Sequence, residues 1–324
     1  MKTLSRWVAP LVLAFAAYVA PALAQTVLNV NTALTTDDPM YAGLERMKAN
    51  IEKRSAGKLA IRIYPGSQLG KDEDVLEQAR AGANVAVLVD GGRLAPFVKE
   101  FGIMGAPYLV DNYEQVLKLT TSPLFKGWVV KLRDAANLQV LAFDWFQGHR
   151  HVLTNTPVKV PADLKGVRMR TPGAPVWLET VRAMGATPTG MPWSEVYSAL
   201  QTKVIDGAEA QHPAVYGARL YEVVKVITKT EHIYLITGIV TSRAWFDKLP
   251  ADQQAILLAE SVDAGKWASE KTIDSLSDYE KKLREKGVSV VEIDKAPFRA
   301  ATAGVYATLG YTDLRVEVNK ALGK

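Results

Sequence analysis

The sequence predicts an α/β protein of two domains. Three observations support this. Strand and helix signals alternate from Val27 onward, the alternation restarts after Phe143, and the helical stretch that follows Pro250 is longer than one small domain. About 300 residues follow the N-terminal leader described below, a length that suits two domains better than one. No repeat, low-complexity tract or long Gly/Ser linker interrupts them, so short hinge strands are expected to join the domains.

Val27-Leu28-Asn29-Val30-Asn31 reads as the first strand, and a polar turn at Thr35 to Asp38 leads into a helix from about Pro39 to Arg54. Leu59, Ile61 and Ile63 alternate with polar or small neighbours and give a second strand. Asp72 to Ala81 forms a helix ending at Gly82, and Val85 to Val89 is a continuous apolar run suited to a buried parallel strand. This β-α-β-α-β order implies a parallel sheet with helices on its faces. The pattern restarts after the strand Leu138 to Phe143. Val167 to Arg170 is a short strand, Ala174 to Met184 a helix stopped by Gly185, and Ser194 is placed to cap a helix from about Glu195 to Thr202. Val204-Ile205 reads as a strand ending at Asp206-Gly207. Pro250 opens a helix to about Lys286, with Leu276, Tyr279 and Leu283 at helical spacing. At the usual rise per residue it is about 50 Å long and could brace two domains.

The first residues read as an address label. Lys2 and Arg6 precede the mostly apolar Trp7 to Val19, and Ala22-Leu23-Ala24 supplies a small-x-small cleavage pattern before Gln25. A membrane span needs about 20 apolar residues, and Pro10 interrupts this stretch, so residues 1–24 are expected to be a cleaved signal peptide and the mature chain periplasmic. Nothing after Gln25 is long and apolar enough to span a bilayer. The chain has no cysteine, which excludes thiolate metal sites, redox motifs and cysteine nucleophiles. Without Lys2 and Arg6 the 39 basic residues become 37 against 34 acidic ones, a net of +3. That balance is too weak and too evenly spread to suggest nucleic-acid binding.

The motifs of enzymes are missing: the sequence holds no G-x-S-x-G elbow, Walker loop, G-x-G-x-x-G turn or H-E-x-x-H helix. Gly91-Gly92 is a turn signal only. His149 and His151 could lie on one strand face and share a metal with His212 or His232, but no third ligand is marked by spacing, so neither a metal nor a cofactor is expected. The informative residue is Arg170. Val167 and Met169 point one way from their strand, Arg168 and Arg170 the other, and Arg170 closes the strand just before Thr171-Pro172-Gly173 and the next helix. In open α/β sheets ligands bind outside the carboxyl ends of strands, and a guanidinium there can grip a carboxylate with two parallel hydrogen bonds.

The runs Asp163-Leu164-Lys165-Gly166-Val167-Arg168-Met169-Arg170, Gly185-Ala186-Thr187-Pro188, Pro192-Trp193-Ser194-Glu195-Val196-Tyr197-Ser198-Ala199-Leu200-Gln201-Thr202 and Asp206-Gly207-Ala208-Glu209 stand in this order. Together they resemble the core signature of the substrate-binding proteins of tripartite ATP-independent periplasmic (TRAP) transporters, in the C4-dicarboxylate-binding family. The likeness covers nearly the whole mature chain, including the Leu69-Gly70 turn, the apolar segment Leu94 to Leu109 and the helix after Pro250. It implies a two-domain periplasmic binding protein-like fold with mixed sheets, crossing hinge strands and a long domain-spanning helix. Domain I would hold residues 25–147 and about 237–275, and domain II residues 148–236 and about 276–324.

The resemblance implies a function as well: a monomeric receptor that closes on a small organic acid and delivers it to TRAP membrane subunits. A binding protein serving a signalling receptor, or a periplasmic enzyme, are the alternatives. Arg170 matches the family's carboxylate-pairing arginine, Trp193 its ligand-packing aromatic, and Arg150 a second pocket arginine of some members. Where the family often carries a ligand-binding asparagine this chain has Ala210, so the polar contact is expected from Gln211 or His212. Tyr216 could reach the pocket or serve helix packing. Asp37, Asp38, Asp90 and Arg93 follow strand ends in the first domain; the aspartates are expected to cap loops, with contact to the ligand's far side as the other possibility. Four-carbon dicarboxylates, 2-oxo or hydroxy monocarboxylates, aromatic acids and sugar acids all suit an arginine clamp. Ala210 and Trp193 tilt the expectation toward a bulkier or more apolar acid.

Overall fold

The computed structural model describes residues 25–324; the expected signal peptide and its cleavage after Ala24 lie outside the described residues. Nine strands form one hydrogen-bonded sheet in the order β2-β1-β3-β8-β4-β7-β5-β6, with β9 added alongside β8. In chain order these are β1 (Thr26–Asn31), β2 (Leu59–Tyr64), β3 (Val85–Asp90), β4 (Leu138–Thr154), β5 (Arg168–Thr171), β6 (Thr187–Gly190), β7 (Gly207–Ala210), β8 (Val226–Ser242) and β9 (Ser289–Val291). The helices of the first half are α1 (Pro39–Arg54), α2 (Asp72–Arg80), α3 (Gly91–Leu94), α4 (Tyr113–Thr120) and α5 (Pro123–Ala136). Then follow α6 (Pro175–Ala183), α7 (Val196–Gln201), α8 (His212–Gly217), α9 (Arg243–Phe246), α10 (Ala251–Glu285), α11 (Ala296–Thr302), α12 (Val305–Thr308) and α13 (Thr312–Leu322).

In the first lobe β1 lies parallel to both β2 and β3, as the β-α-β-α-β order requires. Helix α1 starts where the sequence predicts because Asp38 Oδ1 accepts the Met40 amide at 2.9 Å and Pro39 fixes the first turn. Its buried Met40, Leu44, Met47 and Ile51 recur every three or four residues and pack on Leu28, Val30 and Ile61 of the sheet. Each such burial is worth roughly 1.5–3 kcal/mol. Strand β3 is buried along its whole length, which explains its unbroken apolar run. In the second lobe β5 is parallel to β6 and β7.

Two 17-residue strands, β4 and β8, run antiparallel through both lobes and join them. Helix α10, 35 residues long, lies across β4. Trp145 Nε1 of β4 donates to Ser261 O at 3.1 Å, and the Phe146 amide donates to Ser269 Oγ at 2.8 Å. Gly265 permits this approach, since a Cβ there would sit 2.4 Å from Trp145 Nε1. The crossing strands and the bracing helix are therefore as expected. The final helix, α13, folds back onto α4 and α5 of the first lobe.

Four local readings need correction. Leu138 to Phe143 is only the first third of β4, which continues through the polar Asp144, Gln147 and His149 to Thr154 and accommodates the positive-φ Gly148 at a bulge inside the strand. Strand β8 has no counterpart in the sequence reading: it is buried almost throughout, yet Thr228, Lys229, Thr230, Glu231 and His232 interrupt its apolar run. The strand expected at Val204-Ile205 begins instead at Gly207; Val204 is 55% exposed, and the Asp206 carboxylate binds Arg168 ahead of the pairing segment. Ser194 caps nothing; a single turn at Trp193–Glu195 precedes α7 without a side-chain cap.

Candidate functional site

The lobes meet around a cavity of about 510 Å³ of atom-free space, part of it open to solvent. Thr32, Leu34, Asp72, Leu88, Asp90 and Arg93 line it from the first lobe, and Arg170, Pro172, Trp193 and Gln211 from the second. The crossing strands add Gln147, Arg150, Leu235 and Thr237. Thr32, Asp90, Arg170 and Gln211 stand at or just past the ends of β1, β3, β5 and β7, where open α/β sheets bind ligands, whereas Gln147, Arg150 and Thr237 lie within the crossing strands.

Arg170 belongs to β5 and is 1% exposed. Its Nε donates to Met191 O at 2.9 Å and its guanidinium lies 5.3 Å from the Trp193 ring centroid. Among the described residues no carboxylate lies within salt-bridge distance of it, whereas Arg168, two residues earlier, is exposed and paired with Asp206 at 2.8 Å. Burial, and then repulsion from Arg150, push the Arg170 guanidinium down to about 9, so it remains charged at neutral pH. A buried charge is costly unless paired, and this one faces a cavity.

The neighbouring arginines are already matched. Arg150 grips Glu209 through Nε and through Nη2, the latter 2.7 Å from Oε1, and Nη1 donates to Gln211 Oε1 at 3.2 Å. The guanidinium also stacks over Trp177 at 4.7 Å. Glu209 accepts the Thr171 hydroxyl at 2.8 Å as well. Burial alone would raise the Glu209 carboxyl, but the Arg150 charge and the hydrogen bonds outweigh it and hold the group at about 2. Across the cavity Arg93 pairs with Asp90, with Glu73 at 2.9 Å and with Asp72 at 3.5 Å. Burial raises Asp72 to about 6, against the pull of Arg93, and its Oδ1 is buried without a hydrogen-bond partner.

Contacts close the lobes over this space. Trp177 Nε1 of α6 donates to Asp90 Oδ1 at 3.0 Å, and Lys71 pairs with Glu195 at 3.0 Å. Gly92 makes the first possible: a Cβ there would fall 2.3 Å from Trp177 Nε1.

Of the residues singled out in the sequence, Arg170, Trp193, Arg150, Gln211, Asp90 and Arg93 line the cavity. His212, Asp38 and Tyr216 are not among its lining residues. Asp38 is buried as the α1 cap, and burial raises it to about 7; Asp90 also caps, accepting the Arg93 amide. Tyr216 packs beside Tyr221 and Tyr279. His212 stacks on His151 with ring centroids 4.5 Å apart, and both are buried. His149 and His151 both lie within β4, and no metal-binding cluster occurs among the described residues. Sequence reasoning missed Asp72, Gln147, Thr32 and Thr237. Thr32 follows β1 directly, and Asp72 opens the helix after the Leu69-Gly70 turn, so the strand-end rule could have found both; Gln147 and Thr237 lie in the unread parts of β4 and β8.

Residues 30–313 match the family described as DctP, bacterial extracellular solute-binding protein, family 7. The chain belongs to this family. It is 33% identical over 267 residues to the C4-dicarboxylate-binding periplasmic protein DctP of Rhodobacter capsulatus, covering 80% of each chain. Among solved structures it resembles a TRAP periplasmic solute-binding protein of Escherichia fergusonii in an apo open form, 44% identical, with a TM-score of 0.80 over 91% of this chain and 99% of that one. It also resembles a TRAP solute-binding protein from Ochrobacterium anthropi with bound L-fuconate, 32% identical, with a TM-score of 0.90 over 92% of this chain and all of that one. The family 7 fold here thus superimposes better on the ligand-bound relative than on the open one, although the open one is closer in sequence.

Proposed function

We propose that this family 7 protein is the periplasmic receptor of a TRAP transporter that captures a small organic acid between its lobes, clamps the carboxylate on Arg170 and presents the closed shape to the membrane subunits. The observation that carries the clamp is the charge of Arg170, buried and without an acidic partner among the described residues. Trp193 supplies an aromatic wall beside it, Arg150 and Gln211 a fixed polar edge, and Asp90 part of the opposite face. A ligand draws the lobes together only through contacts it makes better in the closed state, and a carboxylate on Arg170 reached from both lobes is such a contact. No chemical step is invoked, and the receptor works as a monomer.

The lobes divide at β4, β8 and α10, with residues 25–147 and about 237–275 in one and 148–236 and about 276–324 in the other; α13 packs back across this division. Sugar acids are the favoured ligand class, since the fuconate-bound relative shares the lobe arrangement and the cavity wall is rich in hydrogen-bonding groups. Four-carbon dicarboxylates, named for the Rhodobacter relative, are the second class.

The test is a thermal-shift screen of residues 25–324 against organic acids with Arg170→Met alongside. A ligand at 100 times its Kd adds about 2.7 kcal/mol to the folded state. Stabilisation by one acid class, lost in the variant, is the expected result. Stabilisation by sugars, amines or metal ions but by no acid would overturn the reading, as would turnover of the bound acid.

A further inference from the structure

Three arginines face the cavity, and their partners differ. Arg93 is held by Asp90, Asp72 and Glu73, and Arg150 by Glu209. That leaves Arg170 as the one cation of the wall without an acidic partner among the described residues, enough for a single ligand carboxylate. The far side carries the opposite feature. Asp72 lies 8% exposed in the cavity wall; its Oδ2 is held at 3.5 Å from Arg93, and its Oδ1 is buried with no hydrogen-bond partner. An orphaned buried carboxylate oxygen calls for a donor, and a ligand hydroxyl is one.

Resting on the receptor reading above, we propose that Asp72 selects the ligand class: it accepts a hydrogen bond from a hydroxyl of a polyhydroxy monocarboxylate clamped on Arg170, and repels any ligand carrying a second carboxylate. A dicarboxylate would set its second charge against Asp72 and Asp90 with no cation left free, since Arg93 is already shared among three acids. Like-charge juxtaposition in a desolvated site is a strong discriminating element.

The experiment uses three acids with one set of stereocentres, differing only at C6: L-galactonate, with a hydroxymethyl group; L-fuconate, with a methyl; and galactarate, with a second carboxylate. Affinities are measured by calorimetry on residues 25–324 and on Asp72→Asn. At pH 7.5 galactarate should bind at least about tenfold more weakly than L-galactonate, and Asp72→Asn should narrow the gap below about threefold. The wild type offers a second readout that does not depend on the variant's folding. Asp72 titrates near 6, so at pH 5.5 it is largely neutral and the wild-type gap should narrow as well, while the ligand carboxylates remain ionised. Equal binding of galactarate and L-galactonate by the wild type would overturn the proposal. So would a gap unchanged both by the substitution and by pH 5.5. If none of the three acids binds but another acid stabilises the protein in an Arg170-dependent way, the Asp72 assignment falls and the receptor reading stands; if no acid binds at all, both fall.

Discussion

Replacing Glu209 by Gln removes the only acidic partner of Arg150 among the described residues while nearly preserving shape. Both side chains are buried, and the guanidinium would be left as an uncompensated cation near Arg170, which has no acidic partner among the described residues. The magnitude can be reached in two ways. Breaking a buried pair by removing one partner costs about 3–5 kcal/mol. Independently, the Glu209 carboxyl is held near 2 instead of its usual 4.5, a shift that corresponds to about 3 kcal/mol at about 1.4 kcal/mol per pH unit. Because the folded value is the lower one, this stability is present above pH 4.5 and is lost as pH falls toward 2. Denaturant unfolding followed by tryptophan fluorescence should therefore show Glu209→Gln less stable by about 3–5 kcal/mol at pH 7, with a smaller acid-induced loss between pH 4.5 and 2 than the wild type. Adding Arg150→Met to the variant should recover part of the deficit, since the orphaned charge goes too. A deficit below about 1 kcal/mol, or no recovery in the double variant, would show that the pair is not the electrostatic anchor its geometry implies.

Three more outcomes follow from the geometry. Gly92→Ala places a methyl 2.3 Å from Trp177 Nε1 and 2.9 Å from Asp90 Oδ1, so it should oppose closure: solution scattering with ligand should keep the larger radius of the open form and affinity should drop more than about tenfold, and unchanged affinity would contradict the role given to this contact. Trp193→Ala removes the ring beside Arg170 and should weaken acid binding by about two- to thirtyfold, given about 0.5–2 kcal/mol for a cation–π contact; calorimetry showing no loss would place Trp193 outside the binding surface. Burial holds His212 near 4, and burial together with the other histidines holds His151 well below its usual value, so both imidazoles should stay neutral down to pH 5 in an NMR titration. Their folded values lie below the unfolded ones, so stability falls as pH drops from 6.5 toward 4, and His212 alone accounts for about 3 kcal/mol of it; titration of both rings near 6.5 would refute this.

How much of this the sequence revealed depended on where each signal was local. The start of α1 was legible to the residue because Asp38 and Pro39 sit next to what they cap. Strand β3 was legible because burial on both faces leaves an apolar run. Strand β8 was not, because Thr228, Thr230 and His232 are polar yet buried: the Thr228 hydroxyl reaches the distant Val158 O, and the Thr230 hydroxyl and His232 Nδ1 pair with each other at 2.8 Å. Arg170 stood out by its place at a strand end, but its lack of a partner is a three-dimensional fact: Arg168 has the same residue type on the same strand and is neutralised by Asp206. Asp72 was invisible for the same reason. In the sequence it is one of three acids opening a helix, Asp72, Glu73 and Asp74, and only the fold shows that it is the one turned into the cavity.

The crossing of the lobes by β4 and β8 has a mechanical consequence. A door turns on a pin, and all its rotation is spent at one place; two 17-residue ribbons hydrogen-bonded to each other behave more like a leaf spring. Their ladder is interrupted at four places, between Val140 and Ala142, Ala142 and Trp145, Phe146 and Gly148, and Arg150 and Val152. At such interruptions a strand bends without losing its neighbours, so rotation of one lobe against the other is shared along β4 in small increments rather than gathered at a single residue. The same irregular stretch carries Gln147 and Arg150 into the cavity wall. The stretch that holds these interruptions is thus also a wall of the cavity, and a molecule seated there would stiffen the spring directly.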